Sequence, residues 1–143
     1  MIGCDTSFLI SVFVRDKNHL RARSLLFNTD EAIHLSRLNQ LEFQISIRRL
    51  IGAQLLEEAQ ALRAIREFEA MMHVGAFVDS KTLETSVWDT ALDLSRRYSS
   101  AFLVRSLDVW QVAFALEMGM GEFWTFDDRQ GQLADAVGLK VNS

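Results

Sequence analysis

The sequence contains one cysteine, Cys4, and no proline. A single cysteine cannot form an internal disulfide or a cysteine-rich zinc site, and we expect Cys4 to be a small buried residue of the first strand. The absence of proline fits long helices joined by short connections and does not favour any one function. These absences exclude a disulfide framework and a cysteine-based metal site.

Long apolar runs are also absent. No stretch is long enough to cross a bilayer, and the N-terminus lacks a basic region followed by a leader-like segment. We therefore expect a cytoplasmic protein with no membrane association. Hydrophobic residues make up 49% of the 143 residues and charged residues 24%, which predicts a globular chain with a sizeable core. We expect a single domain over residues 1–143.

An excess of positive charge is missing as well, since the formal net charge is −4. A generally basic surface for nucleic acid is therefore not expected. RNA is not excluded, because a site that gathers carboxylates needs a divalent cation, and the cation reverses the local charge. A solvated charge is the usual role of an arginine, but six are candidates for contacts to backbone phosphates. They are Arg37, Arg48, Arg49, Arg96, Arg97 and Arg105.

Short apolar segments alternate with helical patterns along the whole chain. Strands are expected at about 2–4, 32–36, 76–79, 122–126 and 139–141. Helices are expected at about 8–14, 18–27, 38–52, 55–72, 82–98, 106–118 and 130–136. No linker, repeat or low-complexity segment interrupts the pattern. This alternation predicts an α/β fold, a three-layer α/β/α sandwich with a central parallel sheet.

Two acidic residues follow predicted strands. Asp5 ends the first strand and precedes Thr6 and Ser7, either of which can cap the next helix. Asp127 ends the strand at 122–126, and Asp128 beside it is an additional acid. Ligands of open α/β sheets bind at the carboxyl ends of the strands. Both strand-end acids are therefore candidates for one site, although Asp127 or Asp128 can also cap the last helix.

The predicted helix at 38–52 carries Glu42 beside apolar residues. At about 100° per residue, one side of this helix contains Leu38, Leu41, Glu42, Ile45 and Arg49. An unpaired carboxylate in such a stripe is costly, so Glu42 either pairs with an arginine such as Arg49 or points into a shared metal pocket. A second apolar face of the same helix is formed by Phe43, Ile47, Leu50 and Ile51. Two apolar faces predict either deep burial or packing against a partner.

Asp108 lies in the first turn of a predicted helix, where the macrodipole stabilises an acid without any catalytic role. Each acid alone is thus weak evidence. Two strand-end acids and two helix acids together are what a divalent-cation site in a parallel sheet requires. Mg²⁺ and Mn²⁺ prefer oxygen ligands and are held by a few carboxylates plus substrate phosphate oxygens.

Four segments resemble, in order and spacing, the motifs of PIN-domain ribonucleases, and in particular the single-domain VapC-like toxins of type II toxin–antitoxin pairs. They are CDTSFLI, LSRLNQLEFQISIRRL, RSLDVWQVAFALEMG and WTFDDRQGQLADAVGLKV. The resemblance covers essentially the whole chain. It implies a metal-dependent endoribonuclease that hydrolyses RNA phosphodiester bonds with Mg²⁺ or Mn²⁺.

The resemblance also implies roles for individual residues. The four family acids fall on Asp5, Glu42, Asp108 and Asp127, which would hold the cation and serve catalysis. Ser7 and Thr125 match the family's hydroxyl residues and would orient carboxylates or water. The third motif departs from the family, because Trp110 and Gln111 stand where a histidine is often found, and this departure spares the acid. Asp127 is preferred over Asp128 because it directly follows the pair Thr125-Phe126.

The resemblance implies partners as well: an RNA substrate, a cognate antitoxin protein and a second copy of the chain in a homodimer. The apolar face around Phe43, Ile47 and Leu50 is the expected surface for an antitoxin's amphipathic segment. The main alternative is a PIN-like protein that binds RNA or metal without turnover. Phosphatase and phospho-acceptor folds fit less well, because Ser7 stands where a haloacid-dehalogenase-type phosphatase has its second acid, and the acid pair comes late in the chain.

Overall fold

The computed structural model describes all residues from Met1 to Ser143. Five strands of three residues each form the sheet: β1 (Ile2–Cys4), β2 (Ile33–Leu35), β3 (Phe77–Asp79), β4 (Glu122–Trp124) and β5 (Lys140–Asn142). Seven helices connect them: α1 (Thr6–Phe13), α2 (His19–Phe27), α3 (Arg37–Gly52), α4 (Glu58–His73), α5 (Glu84–Phe102), α6 (Ser106–Glu117) and α7 (Asp128–Ala136). None of these helices is long and apolar enough to cross a lipid bilayer.

All neighbouring strands in the sheet are parallel, in the order β3-β2-β1-β4-β5. Ile2 of β1 pairs with Ile33 of β2 on one side and with Glu122 of β4 on the other. The chain therefore leaves β1 in one direction to build β2 and β3, and later returns to build β4 and β5. This reversal creates a crevice at the carboxyl ends of β1 and β4, the usual ligand position in such folds.

Helices cover both faces of the sheet, so the predicted three-layer α/β/α architecture is confirmed. Phe8, Phe43 and Phe68, from α1, α3 and α4, pack with buried residues of β1, β2 and β3 in one core cluster. Val87, Val112 and Leu133, from α5, α6 and α7, pack with Phe123 of β4 in a second cluster. Alternation along β1 places Ile2 and Cys4 in the first cluster. Cys4 is a free, buried thiol with a packing role.

The face of α3 that was expected to receive an antitoxin segment is buried in the core instead. Leu41 and Ile45 are 56% and 46% exposed, whereas Phe43 and Ile47 are fully buried. The reason is that α3 packs against α1, α4 and β2 through the Phe43 face, which is therefore part of the core. Consequently, this face cannot receive an antitoxin segment as expected. Glu42 lies on the flank between the buried and the exposed side.

Several element boundaries also differ from the expected ones. Helix α1 begins one residue after Asp5, which itself is the N-cap in place of Thr6 or Ser7. Strand β4 ends at Trp124, before Thr125 and Phe126, because the chain turns there toward α7. Helix α5 continues to Phe102, where Leu103 ends it in a left-handed conformation with φ of 54°. These changes move the ends of elements and leave their order intact.

Candidate active site

Asp5 lies in the crevice at the carboxyl end of β1 and is only 3% exposed. Its Oδ1 accepts a hydrogen bond from the backbone N–H of Phe8 at 2.9 Å, which caps α1. The Ser7 hydroxyl donates to the same carboxylate at 2.7 Å, and the Thr125 hydroxyl donates to Oδ2 at 2.8 Å. Burial nevertheless raises the pKa of Asp5 from 3.8 to about 6, since these bonds offset only part of the desolvation.

Ser7 and Thr125 connect Asp5 to the turn that carries Asp127. The Ser7 hydroxyl accepts a hydrogen bond from the N–H of Phe126 at 3.0 Å, and the Thr125 hydroxyl accepts one from the N–H of Asp127 at 2.9 Å. Both hydroxyls thus donate to Asp5, and both accept a hydrogen bond from the backbone of the turn that carries Asp127. The structure brings both hydroxyls predicted from the sequence into this crevice.

Glu42 projects from α3 toward the same crevice. Its Oε2 accepts hydrogen bonds from the Thr6 hydroxyl at 2.7 Å and from the side-chain amide of Gln111. Arg49 forms no ion pair with it, so the arginine-paired alternative is not present. Partial burial raises the pKa of Glu42, and the negative charge of Asp108 raises it further. Glu42 is therefore held by neutral donors beside another acid.

Asp108 and Asp127 lie at the N-terminal ends of two helices. Asp108 Oδ2 accepts a hydrogen bond from the N–H of Arg105 at 3.1 Å at the start of α6. Asp127 is the N-cap of α7, and its Oδ1 accepts from the N–H groups of Arg129 and Gln130, both at 2.9 Å. Burial raises the pKa of Asp108, and the charge of Asp127 adds to that effect. These two carboxylates are thus electrostatic neighbours.

Asp128 has a different position from Asp127. It is the first residue of α7, is exposed, and makes no side-chain hydrogen bond. Asp127, in contrast, is the acid whose charge raises the pKa of Asp108. Asp127, which is also exposed, is therefore the electrostatic neighbour of Asp108.

Two buried glutamines complete the crevice, and sequence reasoning missed both as site residues. Gln111 is 5% exposed and Gln130 is 1% exposed. The side-chain amide of Gln130 donates to Gln111 Oε1 at 3.1 Å, and Gln111 donates to Glu42. The available signal was spacing, because Gln111 follows Asp108 by three residues and shares its helix face. Glutamine is a common helix residue, so that spacing alone carried little information.

The donor set suits a hard divalent cation. All four acids offer oxygen atoms only, and none of them is ion-paired with a lysine or arginine. One oxygen each of Glu42, Asp108 and Asp127 accepts no hydrogen bond from the protein. No three acidic, histidine or cysteine side chains converge closely enough to enclose an ion, however. The four acids therefore suit a divalent cation by the chemistry and charge of their donor atoms, and not by a closed arrangement around an ion.

Two clefts meet at Asp127, and Asp108 lines the second of them. The first, which we call the Arg49 cleft, has a volume of about 600 Å³ and is lined by Ser7, Arg49, Phe126 and Asp127 among others. The second, the Arg105 cleft, has a volume of about 460 Å³ and is lined by Arg105, Asp108, Phe126, Asp127 and Arg129 among others. Phe126 and Asp127 are common to both. An extended ligand can therefore pass over Asp127 with an arginine on either side.

Comparison with solved structures supports the fold. VapC20 from Mycobacterium tuberculosis, described as a sarcin–ricin loop cleaving toxin, is similar over 100% of both chains with a TM-score of 0.70 and 19% identity. FitAcB from Neisseria gonorrhoeae is similar over 100% of this chain and 97% of its own, with a TM-score of 0.65 and 17% identity. No curated protein matches the sequence. At these identities the two structures show a shared fold.

The sequence itself matches the PIN domain over residues 2–136. This range includes every strand and helix from β1 to α7, and all four acids of the crevice. The resemblance drawn from the four sequence motifs is confirmed at the level of the family. The chain belongs to the PIN domain family.

Proposed function

We propose that this protein is an endoribonuclease that hydrolyses RNA phosphodiester bonds with Mg²⁺ or Mn²⁺, and that it is the toxin of a toxin–antitoxin pair. The observation that carries the proposal is that a PIN domain places four carboxylates, none of them in an ion pair, along the crevice at the carboxyl edge of its sheet, although no three of them enclose an ion. The similar structure of VapC20, described as a sarcin–ricin loop cleaving toxin, supports RNA as the substrate.

Asp5, Glu42, Asp108 and Asp127 are the residues that would hold the cation. Once bound, a divalent cation lowers the pKa of a coordinated water and offsets negative charge on the scissile phosphate. The raised pKa values of Asp5, Glu42 and Asp108 fit this role, because the ionised carboxylates are unfavourable in the apo protein and gain most from a cation.

Other residues would orient the acids and the substrate. Ser7 and Thr125 hold the Asp5 carboxylate by hydrogen bonds and prevent it from rotating out of the crevice. Arg105 and Arg129 line the Arg105 cleft, and Arg49 lines the other cleft. These guanidinium groups would contact phosphates on either side of the cleaved bond, which positions the strand without reading its sequence.

The test compares acid variants with a matched control on a fluorescent single-stranded RNA. We expect cleavage by the wild type with Mn²⁺ or Mg²⁺, none with EDTA, and a loss of at least about a hundredfold in Asp5→Asn and Asp108→Asn. Asp89→Asn changes an exposed acid of α5 and should cleave like the wild type. RNA binding without cleavage by the wild type would favour a non-catalytic RNA-binding PIN protein, and equal cleavage in EDTA would refute metal dependence.

We further propose that the protein acts in the cytoplasm, pairs with an antitoxin and forms a homodimer. The supporting observation is the set of exposed apolar side chains on α3 and α5: Leu41, Ile45, Trp88 and Leu92. Leu41 and Ile45 lie four residues apart on α3, as do Trp88 and Leu92 on α5, so each pair shares one helix face, and neighbouring exposed apolar residues suit an interaction surface. Light scattering on the purified chain tests the dimer, and Leu41→Asp with Ile45→Asp should shift it toward monomer. Co-purification with the product of the neighbouring reading frame tests the antitoxin.

A further inference from the structure

Side-chain hydrogen bonds, which we call the relay, join four helices behind the acids: α1, α3, α6 and α7. The amide nitrogen of Gln111 donates to Glu42 Oε2 and, at 3.3 Å, to the Thr6 hydroxyl. Thr6 itself donates to the same Glu42 oxygen. At its other end, Gln111 Oε1 accepts from the side-chain amide of Gln130 at 3.1 Å. The relay therefore runs without interruption from Glu42 on α3, through α6, to α7.

Gln130 fixes the far end of this relay to the other two acids. Its side-chain amide also donates to the backbone carbonyl of Asp108 at 3.1 Å. Its backbone N–H donates to Asp127 Oδ1 at 2.9 Å. One buried residue thus contacts the backbone of one acid, the side chain of a second and, through Gln111, the side chain of a third.

The chemistry of the relay requires an amide at position 111. The nitrogen must face Glu42, because the reverse orientation would set a carbonyl oxygen against a carboxylate and an amide against an amide. A glutamate would repel Glu42, and a lysine or arginine would neutralise it and compete with a bound cation. An apolar residue would leave one N–H of the buried Gln130 amide unpaired, since only its bond to the Asp108 carbonyl would remain. Glutamine is a neutral donor to Glu42 that also accepts from Gln130, so it holds Glu42 while leaving its negative charge available.

We propose that Gln111 and Gln130 are positioning residues that set the geometry of Glu42, Asp108 and Asp127 for cation binding. The inference rests on the proposed metal-dependent function, and it adds two residues that touch neither substrate nor cation. They act through the acids: Gln111 fixes the carboxylate of Glu42, and Gln130 fixes the spacing between α6 and α7. The four acids alone therefore do not define the site.

The experiment measures Mn²⁺ binding by isothermal titration calorimetry on the full chain without RNA. Gln111→Met and Gln130→Met keep side-chain length and remove the amides. We expect about ten- to a hundredfold weaker Mn²⁺ binding in both, as for other residues that orient metal ligands. Gln132→Met changes an exposed glutamine of the same helix α7 and should bind Mn²⁺ like the wild type. In RNA cleavage, kcat should fall while KM stays within about twofold.

Urea unfolding with and without Mn²⁺ separates positioning from a purely structural role. If the glutamines have only a structural role, the variants have a lower free energy of unfolding in EDTA, but the increase in that free energy on adding Mn²⁺ is the same as in the wild type. Positioning reduces that increase itself, by about 1.4 kcal/mol for each tenfold loss of affinity when Mn²⁺ is in excess. This comparison remains informative even if a variant is less stable than the wild type.

The outcomes distinguish this inference from the proposed function. Suppose that the wild type binds Mn²⁺ and cleaves RNA, and that Gln111→Met and Gln130→Met bind Mn²⁺ with unchanged affinity and are stabilised by it to the same extent. The positioning role of the two glutamines is then refuted and the proposed function stands. If the wild type binds no Mn²⁺, the proposed function fails and the relay with it. Weaker binding in both variants, together with wild-type binding in Gln132→Met, supports the inference.

Discussion

The buried carboxyl of Asp5 should make the stability of the protein depend on pH in a defined direction. Desolvation raises its pKa in the folded chain from 3.8 to about 6. A folded-state pKa above the unfolded value means that the protonated form stabilises the fold. That contribution is fully present below about pH 4 and is lost as the pH rises through about 6. Above that range, the folded protein carries an unfavourable buried charge.

The expected magnitude follows from the two pKa values. The difference between 3.8 and about 6 corresponds to about 3 kcal/mol at about 1.4 kcal/mol per pH unit. Asp5→Asn removes the charge with little change in shape, but its NH₂ group replaces the Oδ2 acceptor of the Thr125 hydroxyl. The Ser7 hydroxyl can still donate to Oδ1, as it does at 2.8 Å. One lost hydrogen bond costs about 1 kcal/mol. The free energy of unfolding of Asp5→Asn should therefore exceed that of the wild type by about 2 kcal/mol at pH 8. The variant should also lose RNA cleavage.

The assay is urea unfolding of the wild type, Asp5→Asn and the control Asp89→Asn in EDTA between pH 4 and pH 8. The advantage of Asp5→Asn should vanish or reverse at pH 4, where the wild-type carboxyl is protonated, and Asp89→Asn should show no such trend. If the free energies of unfolding of Asp5→Asn and the wild type differ by the same amount at every pH, the assignment of a raised pKa to Asp5 is refuted. Mn²⁺ at pH 8 should stabilise the wild type more than the variant.

Three further substitutions test the packing and hydrogen bonding around Asp5 and the sheet. Thr125→Val removes the hydroxyl that donates to Asp5, so urea unfolding should show a loss of about 1–3 kcal/mol and RNA cleavage should fall about tenfold or more. In Gly3→Ala, the added Cβ would lie 2.6 Å from Met120 Sδ, and the forced repacking should cost about 1–3 kcal/mol, measured as a lower urea midpoint with an unchanged slope. Phe43→Ala empties a fully buried position and should cost about 3–5 kcal/mol in the same assay.

Most of the fold was predictable from local patterns. Short apolar segments alternating with helices predict a parallel sheet with two covered faces, and the order of all twelve elements agrees. The buried face of α3 was not predictable in the same way, because this helix has two apolar sides. Periodicity alone does not show whether the Leu41 face or the Phe43 face is buried in the core. The choice depends on the packing of α1 and α4 against α3, and only the tertiary structure shows that packing.

The acids of the site were easier to predict than the residues that hold them. Asp5 and Asp127 follow strands, and the family resemblance added Glu42 and Asp108. Gln111 and Glu42 lie 69 positions apart in sequence, and a glutamine inside a helix is common. No local pattern therefore indicates their contact. The cap at Asp5 was missed for a related reason, since three consecutive residues, Asp5, Thr6 and Ser7, can all cap a helix.

Three of the proposed cation ligands also begin helices. Asp5 caps α1, Asp127 caps α7, and Asp108 accepts the N–H of Arg105 at the start of α6. Loss of an N-cap costs about 0.5–2 kcal/mol, and the macrodipole favours acids at Asp108 and Asp127, so selection for a folded chain alone would tend to retain these two, whereas at Asp5 an asparagine would cap α1 without the buried charge. A descendant that had lost nuclease activity would then still carry part of the acidic signature. In this fold, Glu42, which caps no helix, and Asp5 are the acids whose substitution in a homologue would best indicate that the chemistry has been lost.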